Sequence, residues 1–219
     1  MSTAAERRFF LSQPDHTPAM LQFIEQHQEE YAALLFMNFY FSQTVLGSVI
    51  APQKTILIPL VHPDKCLYWA LNAPMFTRVR HIAFNTEAER RTTRRIFGAS
   101  LAPNSLIGCG IEQTPAADWA RVKARYNLPE RYVLYLGRVT HSKLNDLIPS
   151  FLNYCRRYGS DTKLVLTGGI DPQMGEETHP EILRTGFVSD AEKAAIIRHA
   201  AVLVNPSHLE SLSLLMLEA

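Results

Sequence analysis

Several features are scarce in this sequence, and each scarcity argues against a class of protein. The 219 residues include three cysteines, Cys66, Cys109 and Cys155, each more than forty positions from the next. With no CxxC pair and an odd count, this argues against a disulfide scaffold or a cysteine-based metal site. We therefore expect a cytoplasmic, thiol-reduced protein. Long apolar runs are also missing. The longest, Tyr31–Phe41, is 11 residues and already contains Asn38, whereas a membrane span needs about 20. The first ten residues place Glu6, Arg7 and Arg8 ahead of only a short apolar patch, unlike the long apolar region of a signal peptide. Charge of one sign is absent as well. Lys+Arg 22 against Asp+Glu 21 leaves a formal net charge of +1, which removes the bulk electrostatic case for a nucleic-acid partner. No GxGxxG occurs, which argues against a dinucleotide-dependent oxidoreductase. His16, His27, His81, His141, His179, His199 and His208 show no ligand spacing, so no metal is expected.

What is present is an ordinary globular composition, 47% hydrophobic, long enough for one to two domains. Short apolar runs alternate with amphipathic stretches. Strands are expected at Leu34–Phe41, Thr55–Leu60, His81–Asn85, Tyr132–Leu136, Lys163–Thr167 and Val202–Asn205, each too short for a helix and rich in β-branched, aromatic or leucine residues. Thr86-x-x-Glu89 and Ser189-x-x-Glu192 read as capping boxes opening helices. Asp118 can cap another that ends near Asn127-Leu128-Pro129. Asn145–Tyr158 sets Ile148, Phe151, Leu152 and Cys155 on one helical stripe. Strands alternating with such helices predict parallel sheets with helices on both faces. We expect an α/β chain of two Rossmann-like domains, residues 1–113 and 114–219. Both are incomplete, since each half offers three strands and the chain stops inside a helical pattern. A fragment of a longer chain is the expectation.

Ligands of open parallel sheets bind at the carboxyl ends of the strands, which directs attention to three loops. The first, Gly137-Arg138-Val139-Thr140-His141-Ser142-Lys143, puts two cations beside the start of a helix, a description of a phosphate site; two solvated surface cations would read the same. The second, Thr167-Gly168-Gly169, allows close backbone approach to a ligand or is a plain turn. The third runs from Val202–Asn205 through Pro206-Ser207-His208-Leu209 into Glu210-Ser211-Leu212-Ser213-Leu214-Leu215-Met216-Leu217-Glu218. Glu218 stands on a helix that is apolar almost all round. A carboxylate there is costly to bury without hydrogen bonds, and vicinal sugar hydroxyls are suitable donors; it would equally suit the first polar residue of a helix leaving the core.

Taken together, Glu210 and Glu218 in a Glu-x7-Glu pattern after Asn205-Pro206-Ser207, with Gly137-Arg138 and Lys143, resemble the family 4 retaining glycosyltransferases of the GT-B fold (glycosyltransferase group 1). Thr185-Gly186-Phe187-Val188-Ser189-Asp190 and Ala200-Ala201-Val202-Leu203-Val204 are similar to the family's segment between those motifs. Ile58-Pro59-Leu60-Val61-His62, Phe84-Asn85-Thr86-Glu87-Ala88-Glu89-Arg90 and Gly108-Cys109-Gly110-Ile111-Glu112 look like the second part of its acceptor-side domain. The resemblance spans residues 31–219. It implies transfer of a sugar from a nucleotide-diphosphate sugar to a glycan, lipid or small-molecule acceptor, with retention at the anomeric carbon, in pathways such as polysaccharide biosynthesis. The nucleotide sugar is a substrate; no cofactor and no metal are implied.

By the same resemblance, Arg138 and Lys143 hold the donor diphosphate at Gly137 and Gly168, and Glu218 accepts from the ribose hydroxyls. Glu210 faces the donor sugar, and the amides of Ser211, Leu212, Ser213 and Leu214 surround sugar and phosphate. Backbone near Phe187 and Val188 meets the base. His62 matches the family's acceptor-domain histidine, although a histidine at a strand end is also an ordinary structural residue. Leu144 and Ser213 stand where the family commonly has glycine, and the glycine-rich loop from its first strand has no counterpart. These departures predict weak or no turnover by the 219 residues alone. They also keep a second class in view, a non-catalytic α/β nucleotide-binding or scaffold module. Finally, Arg78, Arg80, Arg90, Arg91, Arg94 and Arg95 form a basic cluster. It reads either as peripheral contact with anionic lipid headgroups at the inner face of a membrane or as a solvated helix face with Glu87 and Arg91 paired.

Overall fold

The computed structural model describes residues 2–144, 146–174, 179–208 and 210–219. The expected helix start at Asn145, and Leu209 in the third loop, lie outside the described residues. Two compact units divide the chain, Met1–Cys109 with Leu209–Leu212, and Gly110–His208 with Ser213–Ala219. The expected division stood after residue 113.

The first unit runs α1 (Thr3–Leu11), α2 (Pro18–His27), β1 (Leu34–Met37), α3 (Ser42–Gly47), β2 (Thr55–Ile58), α4 (Ala73–Thr77), β3 (His81–Phe84), α5 (Glu87–Phe97) and β4 (Asn104–Leu106). Its strands pair in parallel in chain order, β1-β2-β3-β4. β4 corrects the expectation of three strands. Asn104-Ser105-Leu106 carries no apolar run, yet its backbone continues the ladder, with Ile82, Ala83 and Phe84 opposite Asn104, Ser105 and Leu106. β1 is shorter than the run Leu34–Phe41 because Asn38 turns to φ 70°, a left-handed conformation that asparagine tolerates. Its Oδ1 accepts from the Tyr40 amide at 3.1 Å.

Phe36, Leu57, Ile82 and Phe84 point to one face of this sheet and pack with Phe10, Phe39, Met75 and Phe76. On β1 the alternate residues Leu35 and Met37 are 68% and 56% exposed. Helical cover on both faces, expected from the alternation, is therefore one-sided at this edge strand. α5 opens with the expected capping box: Thr86 Oγ1 accepts from the Glu89 amide and the Glu89 carboxylate accepts from the Thr86 amide. Glu87 pairs with Arg90 at 2.6 Å and Arg91 at 3.4 Å, so two arginines of the basic cluster have a carboxylate on their own helix, the geometry of a solvated face.

The second unit runs α6 (Trp119–Tyr126), β5 (Tyr132–Leu136), α7 (His141–Leu144), α8 (Leu147–Tyr158), β6 (Lys163–Thr167), β7 (Ile182–Gly186), α9 (Asp190–His199), β8 (Val202–Leu203) and α10 (Leu214–Glu218). Asp118 caps α6 by accepting from the Arg121 amide, and Asn127 ends it at φ 50°. β7 is a further strand missing from the sequence pattern. Arg184 interrupts its apolar run, and an edge position with every residue half-buried tolerates that.

The strands are parallel in the order β7-β6-β5-β8, and their side chains alternate between two covered faces, as a parallel sheet requires. Tyr132, Leu134 and Val165 pack against Val122 of α6 and Ala195 and Ile196 of α9. Tyr135, Leu164 and Leu166 pack against Leu144 and Phe151. Tyr132 also donates its hydroxyl to the Ile196 carbonyl at 2.6 Å. From β5 the chain moves outward through β6 to β7, then returns to the other side of β5 with β8. Such a reversal opens a crevice at the carboxyl ends of the strands, and this positions the site.

Candidate functional site at the carboxyl ends of the second sheet

The loops leaving β5, β6 and β7 converge on a cleft of about 380 Å³ lined by Gly137, Arg138, Gly168, Val188, Ser189 and Lys193, among others. Four residues expected at the site from the sequence, Gly137, Arg138, Gly168 and Val188, meet there. Two of them come together because both are glycines. Gly168 sits at φ +133°, and a Cβ on it would overlap the Gly137 carbonyl oxygen and stand 2.8 Å from the Gly137 carbonyl carbon. Of the two readings of Gly168, close backbone approach and plain turn, the approach is to the neighbouring loop. The ladder extends into both loops: Gly137 N donates to Thr167 O at 2.9 Å, Gly168 N to Gly186 O at 2.9 Å, and Val139 N to Gly169 O at 2.8 Å. Tyr135, buried beneath, donates its hydroxyl to Arg138 O at 2.8 Å. The loop that carries Arg138 is thus fixed by main chain on one side and a buried phenol on the other, while Arg138 itself is exposed.

The phosphate site expected at a helix start needs correcting in one respect. The helix directly after this loop, α7, is only four residues long, with Thr140 Oγ1 accepting from the Lys143 amide at 3.2 Å. Lys143 lies on α7 and does not line the cleft. Leu144, which replaces the family's frequent glycine, is buried in the core rather than filling the cleft.

On the β7 side, Ser189 and Glu192 form the expected capping box of α9. The Glu192 carboxyl is held below its ordinary pKa, first by the Ser189 amide and hydroxyl. This fixes the turn that presents Phe187 and Val188. The Phe187 ring is 87% exposed, with its residue on the cleft wall.

α10 begins at Leu214, so Glu210 precedes the helix and Glu218 ends it. The buried carboxylate anticipated at Glu218 has a protein partner: Lys193 Nζ donates to Glu218 Oε1 at 3.0 Å and pairs with Asp190 at 3.2 Å. Partial burial pulls the Lys193 ammonium down, but the bonds to Glu218 and Asp190 outweigh it and hold its pKa above the ordinary lysine value. Ser213 Oγ accepts from Asn205 Nδ2 at 3.2 Å, tying the loop after β8 to the start of α10 next to Leu214.

Glu210, Ser211 and Leu212 are grouped with the first unit, where the Ser211 carbonyl accepts from Thr86 Oγ1 at 3.4 Å. Glu89, buried below, has its pKa raised by desolvation, against the amides of Asn85, Thr86 and Val61 and the Ser211 hydroxyl, which favour its charged form. His62 is half-buried in that unit, edge-on to Phe39 with centroids 5.6 Å apart, and its Nδ1 lies 3.4 Å from Leu60 O. Among the described residues no group of three or more His, Cys, Asp or Glu is placed to hold a metal ion, and no helix is long and apolar enough to cross a membrane.

Sequence reasoning missed Lys193 and Tyr135. Tyr135 reads simply as core. Lys193 stands four residues after Ser189 on α9, and placing it at the cleft requires β7, which the apolar pattern does not reveal.

Residues 130–219 match the family model described as Glycosyl transferases group 1. The chain is 26% identical to D-inositol 3-phosphate glycosyltransferase of Kineococcus radiotolerans over 93% of its own length and 55% of that protein's. It therefore spans about half the length of this curated relative. Among solved structures, it resembles sucrose-phosphate synthase from Thermosynechococcus elongatus with a TM-score of 0.70 at 18% identity, covering 100% of this chain and 59% of that one. It also resembles Anabaena HepE, solved in complex with UDP and glucose, with a TM-score of 0.67 at 14% identity, covering 94% and 62%. The two parallel α/β sheets are those of the GT-B glycosyltransferase fold, and it is residues 130–219 that carry the likeness to the glycosyl transferases group 1 model.

Proposed function

We propose that this chain is the nucleotide-sugar-handling part of a glycosyltransferase that moves a sugar from a nucleotide diphosphate to a glycan, lipid or small-molecule acceptor, with retention at the anomeric carbon. The observation that carries the proposal is the convergence of Gly137, Arg138, Gly168 and Val188 on one cleft at the carboxyl ends of β5, β6 and β7. The group 1 match over the same residues and the UDP complex of HepE support it. In this reading, residues 1–113 belong to the acceptor side and residues 114–219 to the donor side.

Arg138 supplies a cation to the diphosphate from a loop whose backbone is held, and Lys143, on α7 outside the cleft lining, adds positive charge from farther off. Stabilising charge as it develops on the leaving group is worth several kcal/mol when the donors are held in place beforehand, and the main-chain ladder with the Tyr135 hydroxyl provides that holding. No metal or cofactor is needed for it. Val188 offers backbone to the base and Glu218 a carboxylate to the ribose. By the same resemblance Glu210 and the amides of Ser211, Leu212, Ser213 and Leu214 are assigned to the sugar, and His62 to the acceptor side. Arg78, Arg80, Arg94 and Arg95 are the part of the basic cluster left to meet an anionic acceptor or headgroup.

Calorimetric titration with UDP, GDP and ADP tests the proposal. Saturable binding of one of them, weakened by Arg138→Ala, is expected. Silence across the panel from a chain that melts cooperatively would favour a non-catalytic α/β module.

A further inference from the structure

We propose that Lys193 is a positioning residue that orients the Glu218 carboxylate toward the vicinal hydroxyls of a nucleotide's ribose. The inference rests on the nucleotide-sugar function proposed above and extends it to a residue outside the motifs that suggested that function.

Lys193 belongs to the cleft and is hydrogen-bonded to Glu218. It lines the cleft beside Phe187, Val188 and Ser189, and also lines an adjoining hollow of about 350 Å³ with Glu218, Leu217 and Glu112. Its ammonium donates to Glu218 Oε1 at 3.0 Å and pairs with Asp190 at 3.2 Å, with the lysine and Glu218 side chains each only 26% exposed. An ionised carboxylate has about four acceptor positions. Fixing Oε1 in this way restricts the rotation of the group and leaves Oε2 for hydroxyl donors.

Charge provides a second, separate argument. Asp190, Lys193 and Glu218 sum to −1 as they stand and to −2 without the lysine. A diphosphate would meet that second negative charge directly. A carboxylate meant to touch the sugar of an anionic nucleotide is therefore helped by a cation bonded to it, which offsets its charge. Lys193 supplies it from α9, in the same cleft lining as Arg138.

The test compares UDP with 2′,3′-dideoxy-UDP by calorimetry, with the GDP and ADP pairs run alongside, on wild type, Glu218→Gln, Lys193→Met and Lys193→Arg. Charge-assisted hydrogen bonds to the diol should make wild type prefer the hydroxylated nucleotide by about tenfold or more. Glu218→Gln and Lys193→Met should both flatten that ratio to about threefold or less, and Lys193→Arg, which keeps the charge, should retain it. Lys193→Gln replaces the methionine variant if the latter does not melt cooperatively. A ratio lost in Glu218→Gln but intact in Lys193→Met would overturn the positioning role and leave the proposed function standing. An unchanged ratio in Glu218→Gln would remove the ribose assignment, and with it this inference. No saturable binding of any nucleotide would overturn both.

Discussion

Gly168→Ala is the substitution whose consequence can be worked out most fully. Two costs arise at one atom. The residue holds φ +133°, a conformation L residues rarely adopt, and such strain costs about 1–3 kcal/mol. The new methyl would overlap the Gly137 carbonyl oxygen and lie 2.8 Å from its carbon, and forcing extra volume into packed surroundings costs about 1–3 kcal/mol more. Because both obstacles are backbone, no rotamer change relieves them. The loops after β5 and β6 must part, straining the bonds from Gly137 N to Thr167 O and from Gly168 N to Gly186 O, both 2.9 Å. The total, about 2–6 kcal/mol, should lower the melting temperature of the second unit by on the order of 10 °C or more. Circular dichroism melts measure this directly. The adjacent Gly169→Ala is the control, since its Cβ would meet nothing within 4 Å and its φ is unremarkable. The expected result is a large loss for the first variant and a shift of a degree or two for the second. A Gly168→Ala melt within 2 °C of wild type, or equal losses in both, would refute the reasoning.

Two further outcomes follow from buried polar groups. Tyr132→Phe removes the 2.6 Å hydrogen bond to the Ile196 carbonyl in a fully buried site, leaving an acceptor unpaired; urea titration should show a loss of about 1–2 kcal/mol. Glu89 has a folded-state pKa above the ordinary carboxylate value of about 4.3, chiefly through burial. The folded protein thus binds a proton that the unfolded chain has released. The resulting stability is complete below the ordinary value and is lost as pH rises through the raised one. Relative to Glu89→Gln, wild type should gain melting temperature on acidification through that window, and a difference that is flat with pH would contradict the assignment.

Much of the fold is legible in sequence because its signals are local. The capping boxes at Thr86 and Ser189, the Asp118 cap and the runs at Tyr132–Leu136 and Lys163–Thr167 each depend on a few neighbouring residues. Edge strands β4 and β7 are not legible. An edge strand is defined by the backbone ladder it joins, and polar residues such as Asn104 and Arg184 hide it from an apolar pattern. The same cause separates the glycines of the cleft. Gly168 and Gly169 are equivalent as letters and differ in backbone conformation and in what Gly137 places beside one of them. Lys193 could not be found from spacing, since its link to Glu218 crosses 25 positions and depends on β7 and α10.

Amide hydrogen exchange with and without saturating nucleoside diphosphate tests the central claim, that the cleft on the second sheet is the donor site, by location rather than by affinity alone. The account predicts slowed exchange at residues 137–140, 167–170 and 186–193, where the loops after β5, β6 and β7 meet. Slowing confined instead to the larger hollow of about 600 Å³ between Pro149 and Ser160 of the α8 segment and His179 and Glu181, with those loops unchanged, would contradict it.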